Sequence, residues 1–96
     1  MREFLNDLFE WDPDKGAINK QKHGVSFLDA TSVFYDPEAL GMEEQNAGNE
    51  VREVILGVDG LGRILVVVYT QREDRIRIIS ARKATGKEVR EYESRI

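Results

Sequence analysis

The 96-residue sequence predicts an α+β fold: a twisted, mainly antiparallel β-sheet with two N-terminal helices and one C-terminal helix. Three observations lead there. Residues 51–58, 63–71 and 75–82 are β-prone runs joined by Asp59-Gly60-Leu61-Gly62 and Arg72-Glu73-Asp74, which reads as a meander. Two serine or threonine residues stand three positions ahead of an acid, Ser26 before Asp29 and Thr85 before Glu88, and each spacing opens a helix. The run Ile64-Leu65-Val66-Val67-Val68-Tyr69 is apolar on both faces, which makes it the central strand, with helices expected on one side.

Taken in order, Phe9-Glu10-Trp11 reads as a short strand stopped by Asp12-Pro13, a good N-cap followed by a residue suited to the first helical position. A helix is expected over 13–23, closed by Gly24 in a left-handed cap. That helix is unusually polar. Lys15, Asn19, Lys22 and His23 fall at i, i+4, i+7 and i+8 and form a stripe along one side. His23, in the last turn, suits proton transfer, a phosphate contact or plain capping of orphan carbonyls. Ser26 opens a second short helix whose Phe27, Ala30 and Phe34, with Val33 beside them, face the core. Asp36-Pro37 ends it, and 38–49 reads as a short strand over 39–42 followed by a polar loop. In the C-terminal helix Val89, Tyr92 and Ile96 share one face, and Glu88 and Tyr92 lie one turn apart. On their own, Glu88 reads as the capping residue and Tyr92 as core with its hydroxyl at the rim.

The stretch 75–84, Arg-Ile-Arg-Ile-Ile-Ser-Ala-Arg-Lys-Ala, draws the functional reading together. Its alternation turns isoleucines inward and arginines outward, then slips at the adjacent Ile78 and Ile79. An ideal strand would put Arg77 and Lys83 on one face and Arg82 on the other; a bulge or a strand end between Ile78 and Ala81 would bring Arg77 and Arg82 together, and the two are expected to converge with His23 on one concave surface.

Length fits a single domain spanning residues 1–96. With no cysteine and one histidine the chain has neither a disulfide framework nor a thiolate metal site, and no metal or cofactor is expected. The first ten residues lack the basic start and apolar run of a signal peptide, no stretch has membrane-spanning length, and a cytoplasmic location is expected. The net charge of −4 hides an asymmetry. Residues 1–62 carry five Lys/Arg against thirteen Asp/Glu, whereas 63–96 carry nine against five. A basic C-terminal third can hold RNA or an acidic partner despite the total.

Several separated groups occur together: Phe9-Glu10-Trp11-Asp12 with Lys15 and Asn19, then Lys22-His23-Gly24-Val25 with Phe27, then Ile76 through Ala84, then Glu88 and Tyr92. In combination they resemble the BrnT family of bacterial toxins, over nearly the whole chain from Phe9 to Tyr92, with residues 1–8 as an N-terminal extension. The resemblance implies a RelE-like fold and a ribonuclease toxin of a type II toxin–antitoxin system. It further implies growth arrest by RNA cleavage and neutralisation by a BrnA-type antitoxin with a ribbon-helix-helix DNA-binding part, operator DNA being met only through the complex.

Metal-independent RNA cleavage needs proton transfer and cations around a crowded phosphate. Arg77 and Arg82 are the expected phosphate clamps, because guanidinium presents a fork of donors and stays charged. His23 and Glu88 are the proton-transfer candidates, and Tyr92 is a phosphate donor or a base-stacking ring. Lys15, Asn19, Lys22 and Lys83 are expected to contact RNA, with Trp11 as a stacking platform or a buried wedge. The competing expectation is a non-catalytic module that captures an antitoxin or nucleic acid through the basic strand.

Overall fold

Alternating strands and capped helices place every element of this fold, and a computed structural model describes residues 4–5, 8–48 and 50–95 of it. Six strands, β1 (Phe4–Leu5), β2 (Phe9–Trp11), β3 (Leu40–Ala47), β4 (Glu50–Val58), β5 (Ile64–Arg72) and β6 (Arg75–Lys83), form one sheet in the order β1-β2-β6-β5-β4-β3. All neighbours are antiparallel except β2 and β6, which run parallel. The helices are α1 (Pro13–His23), α2 (Phe27–Thr31), continued by a 3-10 turn (Ser32–Tyr35), and α3 (Gly86–Glu93).

Local chemistry sets the helix ends. The Asp12 carboxylate accepts from the Asp14 N–H, Pro13 starts α1, and Gly24 ends it at φ 73°, a conformation that a Cβ would strain. Ser26 Oγ accepts from the Asp29 N–H at the start of α2. Thr85 and Glu88 exchange both bonds of a capping box at α3.

The sheet is covered on both sides, where coverage on one was expected. On one face Phe9, Trp11, Val25, Phe27, Ala30 and Val33 pack on Leu65, Val67, Ile78 and Ala81. On the other, Tyr92 of α3 joins Val54, Leu56 and Val66. The alternation of β5 explains the split, odd positions meeting α2 and even ones meeting α3. Gly57 allows β4 to pass close beneath the 3-10 turn, since a Cβ there would lie 3.0 Å from Val33 and 3.1 Å from the Asp36 carboxylate.

Three expectations change. The polar segment after Met42 is strand rather than loop, with Gln45, Asn46 and Ala47 opposite Arg52, Val51 and Glu50 beyond a register shift between Met42 and Gln45. As an outer strand it carries polar residues, which hides it from a hydrophobic pattern. The second helix is shorter than its apolar spacing suggested and tightens into the 3-10 turn. Phe4–Leu5, read only as an extension, adds a short strand to β2. Residue 49, assigned to the loop, and Ile96, assigned to the C-terminal apolar face, lie outside the described residues.

Candidate active site

The basic strand β6 contains the irregularity its sequence foretold. Val68 pairs with Ser80 and Tyr69 with Ile78, so Ile79 is an extra residue without a partner on β5. Its effect is to place Arg77, opposite Thr70, and Arg82, opposite Val66, on the same face as Ser80, the face that carries α3. Lys83, opposite Leu65, stays on the other face.

Each arginine is held by a carboxylate from another element. Arg77 Nη1 donates to Glu10 Oε2 at 2.6 Å, across the parallel β2–β6 pair in which Glu10 and Arg77 are direct partners. This pair is largely buried, with side chains 17% and 11% exposed, whereas the Arg82 side chain is 42% exposed. Arg82 donates through Nη1 and Nη2 to the two oxygens of Glu88, at 2.8 and 3.0 Å. Glu88 Oε1 also accepts from the Thr85 N–H at 2.8 Å, so the capping box of α3 fixes the arginine's partner. The hydrogen bond from Arg82 outweighs burial and, with the Thr85 N–H, holds the Glu88 carboxyl down at about 2; the same bond raises the Arg82 pKa. Glu88 is therefore an ionised anchor for Arg82 at neutral pH, a state in which it has no proton to donate.

Tyr92 is not presented to the arginine cleft as expected. It is buried, and its hydroxyl donates to Asp36 Oδ2 at 2.6 Å, tying α3 to the end of the 3-10 turn. That bond, with burial, pushes the phenol up to about 12. Burial works against the Asp36 carboxylate, yet bonds from Tyr92 and from the N–H groups of Val58 and Glu38 leave its pKa lowered.

Two clefts open beside β6. One, of about 280 Å³, lies on the arginine face, with Val54, Val66, Val68 and Met42 as its apolar floor and Ser80, Arg82 and Glu88 at its rim. The other, of about 220 Å³, runs between α1 and β6 and is lined by Lys15, Ile18, Asn19, Lys22, His23, Ile79 and Ser80. The stripe read from α1 is thus real, but His23 stands in the second cleft rather than among the arginines. Ser80 lines both.

Asn19, expected to meet RNA, is buried instead, and of the two readings of Trp11 the structure shows the buried wedge. The Asn19 amide donates to the Val25 and Ala81 carbonyls at 2.9 and 2.8 Å, and its oxygen accepts from the Ala81 N–H at 3.1 Å. It acts as a substitute strand partner where β2 has ended, and fixes α1 against β6. Trp11 packs edge-on against Phe27, ring centres 6.0 Å apart. Lys15, Lys22 and Lys83 are exposed. The end of α1 is braced by Arg63, which donates to the Gly24 carbonyl at 3.3 Å and is itself held by Asp29 and the buried Asp59.

Reading the sequence missed Glu10, Ser80 and Arg63. Glu10 was open to detection, because it alternates with Phe9 and Trp11 and must face the other way. Among the described residues no group of three or more His, Cys, Asp or Glu side chains is placed to hold a metal ion, and no helix is long and apolar enough to cross a membrane.

A family model described as ribonuclease toxin, BrnT, of type II toxin–antitoxin system matches residues 11–88. No curated protein matches the chain in sequence. Among solved structures, the 1.1 Å crystal structure of the Brucella abortus ribonuclease toxin, BrnT, superposes with a TM-score of 0.58 at 23% identity, covering 78% of this chain and 92% of that one. At that identity the likeness speaks for the fold.

Proposed function

The chain belongs to the BrnT family of ribonuclease toxins of type II toxin–antitoxin systems, and from that premise we propose that it cleaves RNA without a metal ion, with Arg82 as the principal phosphate clamp. The observation that carries this reading is the Ile79 bulge, which gathers Arg77, Ser80 and Arg82 on one face beside an open cleft.

Cleavage by this route needs the 2′-hydroxyl proton removed as its oxygen attacks phosphorus, and a proton supplied to the 5′-oxygen as that P–O bond breaks. His23 is the proton-transfer group in this reading, since both Glu88 oxygens are engaged by Arg82 and Tyr92 is buried against Asp36. Arg82 supplies charge to the phosphorane-like transition state and is pre-oriented by Glu88, a positioning residue. Arg77 adds positive field from a more buried seat on Glu10.

The family implies an antitoxin partner. We assign that role to a BrnA-like protein with a ribbon-helix-helix part, met in the cytoplasm, with operator DNA reached only through the complex. Co-expression with the adjacent reading frame is expected to give a co-purifying, non-toxic complex; a chain that stays alone and toxic beside it would remove this part of the reading. For catalysis, Arg82→Ala is expected to lower RNA cleavage by roughly 10²–10³ while remaining folded.

A further inference from the structure

We propose that the scissile phosphate rests at Ser80 and that the two clefts meeting there are nucleotide subsites, so that single-stranded RNA crosses the edge of β6 with one base in each. The inference rests on the RNA-cleavage reading above and adds a residue, Ser80, and a substrate geometry to it.

The sheet itself creates the crossing. Glu10 is the last β2 residue with a partner on β6, at Arg77, so from Ile78 onward the edge of β6 that faces away from β5 has no strand beside it among the described residues. Helix α1 takes that place and is fixed there through Asn19 and Ala81. The bulge then sends neighbouring side chains to different clefts, with Ile79 in the α1 cleft and Ser80 at the boundary of both. A phosphate at Ser80 has Arg82 on one side and His23 on the other.

Both clefts pair an apolar floor with charged groups at the rim, the Arg82–Glu88 ion pair in one and Lys15, Lys22 and His23 in the other. Val66 and Val68 lie beneath Arg82 in one. In the other Ile18 and Ile79 lie beside Lys22 and His23, and Ile18 is 60% exposed on a helix whose remaining side chains are mostly polar. Each volume falls below the roughly 300–1,000 Å³ of a pocket for a drug-sized ligand, a scale suited to a single nucleotide unit. A paired strand keeps its bases stacked on one axis and cannot send two of them into separate clefts on either side of Ser80; an unpaired one can.

The test uses a short RNA oligonucleotide, alone and annealed to its complement, with purified wild-type protein, the double variant Ile18→Glu/Lys22→Glu, Ser80→Ala, Ser80→Thr and Arg82→Ala. Ile18 and Lys22 are exposed, so the double variant keeps the fold. It is expected to raise KM about tenfold or more with kcat little changed, the mark of lost substrate binding outside the reacting centre. Ser80→Ala should lower kcat/KM by about tenfold, and Ser80→Thr, which keeps a hydroxyl, should restore most of it. The annealed RNA should be cut at least about a hundredfold more slowly. An unchanged KM in the double variant, no effect of Ser80→Ala, or equal cleavage of annealed RNA would overturn the subsite assignment. Arg82→Ala separates the two levels: if it is inactive while the subsite variants are normal, only the crossing fails, and if it too is normal, the cleavage reading falls with it.

Discussion

Replacing Tyr92 with phenylalanine removes one oxygen atom and tests whether that residue belongs to the latch or to the chemistry. The hydroxyl donates to the Asp36 carboxylate at 2.6 Å from a side chain that is 5% exposed. A hydrogen bond to a charged acceptor contributes about 1.5–3 kcal/mol. Asp36 keeps the N–H groups of Val58 and Glu38, both at 2.9 Å, so it is not orphaned and the loss should sit near the lower end, about 1.5–2 kcal/mol. For a chain of this length that is a fall in Tm of about 10 °C. The effect should depend on pH in a stated direction. Asp36 has a lowered pKa, so its part is present above about 4 and fades as pH falls. Tyr92 is raised from 10.0 to about 12, so its part is present below pH 10 and fades as pH rises through 12. The stability gap between wild type and Tyr92→Phe is therefore widest between about pH 4 and 10. Thermal melts across pH, paired with RNA cleavage assays, give the answer. Lost cleavage with an unchanged Tm would refute the latch and return Tyr92 to the RNA site.

Asn19→Leu should destabilise by about 2–4 kcal/mol, because both backbone groups of Ala81 lose their partner; equilibrium denaturation measures it, and a shift under about 1 kcal/mol would contradict the substitute-strand role. Glu88→Gln should cost about 1 kcal/mol, since the half-exposed Arg82 is screened by solvent. That gap should close as pH falls from about 4.5 towards 2, where the wild-type carboxylate takes up its proton. The same variant should lower kcat by about tenfold without moving either limb of the pH–rate profile between pH 5 and 9; a shifted limb would restore Glu88 as a proton carrier. Glu10→Gln should weaken the fold more than Glu88→Gln does, because the Arg77 pair is the more buried of the two, and comparative melts of the two variants check this.

The fold was legible wherever apolar period and cap chemistry agreed. Pro13–His23 could be placed to the residue because Asp12, Pro13 and Gly24 each have one strong local preference. Strand β3 was not, because an outer strand with Gln45 and Asn46 on it has the composition of a loop. At the site, the slip Ile78-Ile79 marked where a bulge or strand end could fall, and the register shows a bulge there that puts the two arginines on one face. What local pattern could not show was partnership over long separations. Arg77 and Glu10 are 67 residues apart, and Tyr92 and Asp36 are 56 apart. Asn19 looked like a surface contact because its helix is polar, and only the ending of β2 explains why an amide is needed beside Ala81.

In the proposed mechanism the face organised by the Ile79 bulge cleaves RNA through Arg82 and without a metal. Purified, antitoxin-free wild type and Arg82→Ala, incubated with RNA in EDTA, test it most directly. Cleavage by wild type and a loss of roughly 10²–10³ in the variant are expected, with melting curves within a few degrees of each other. Wild type inert in EDTA but restored by a divalent cation, or an equally active Arg82→Ala, would contradict it.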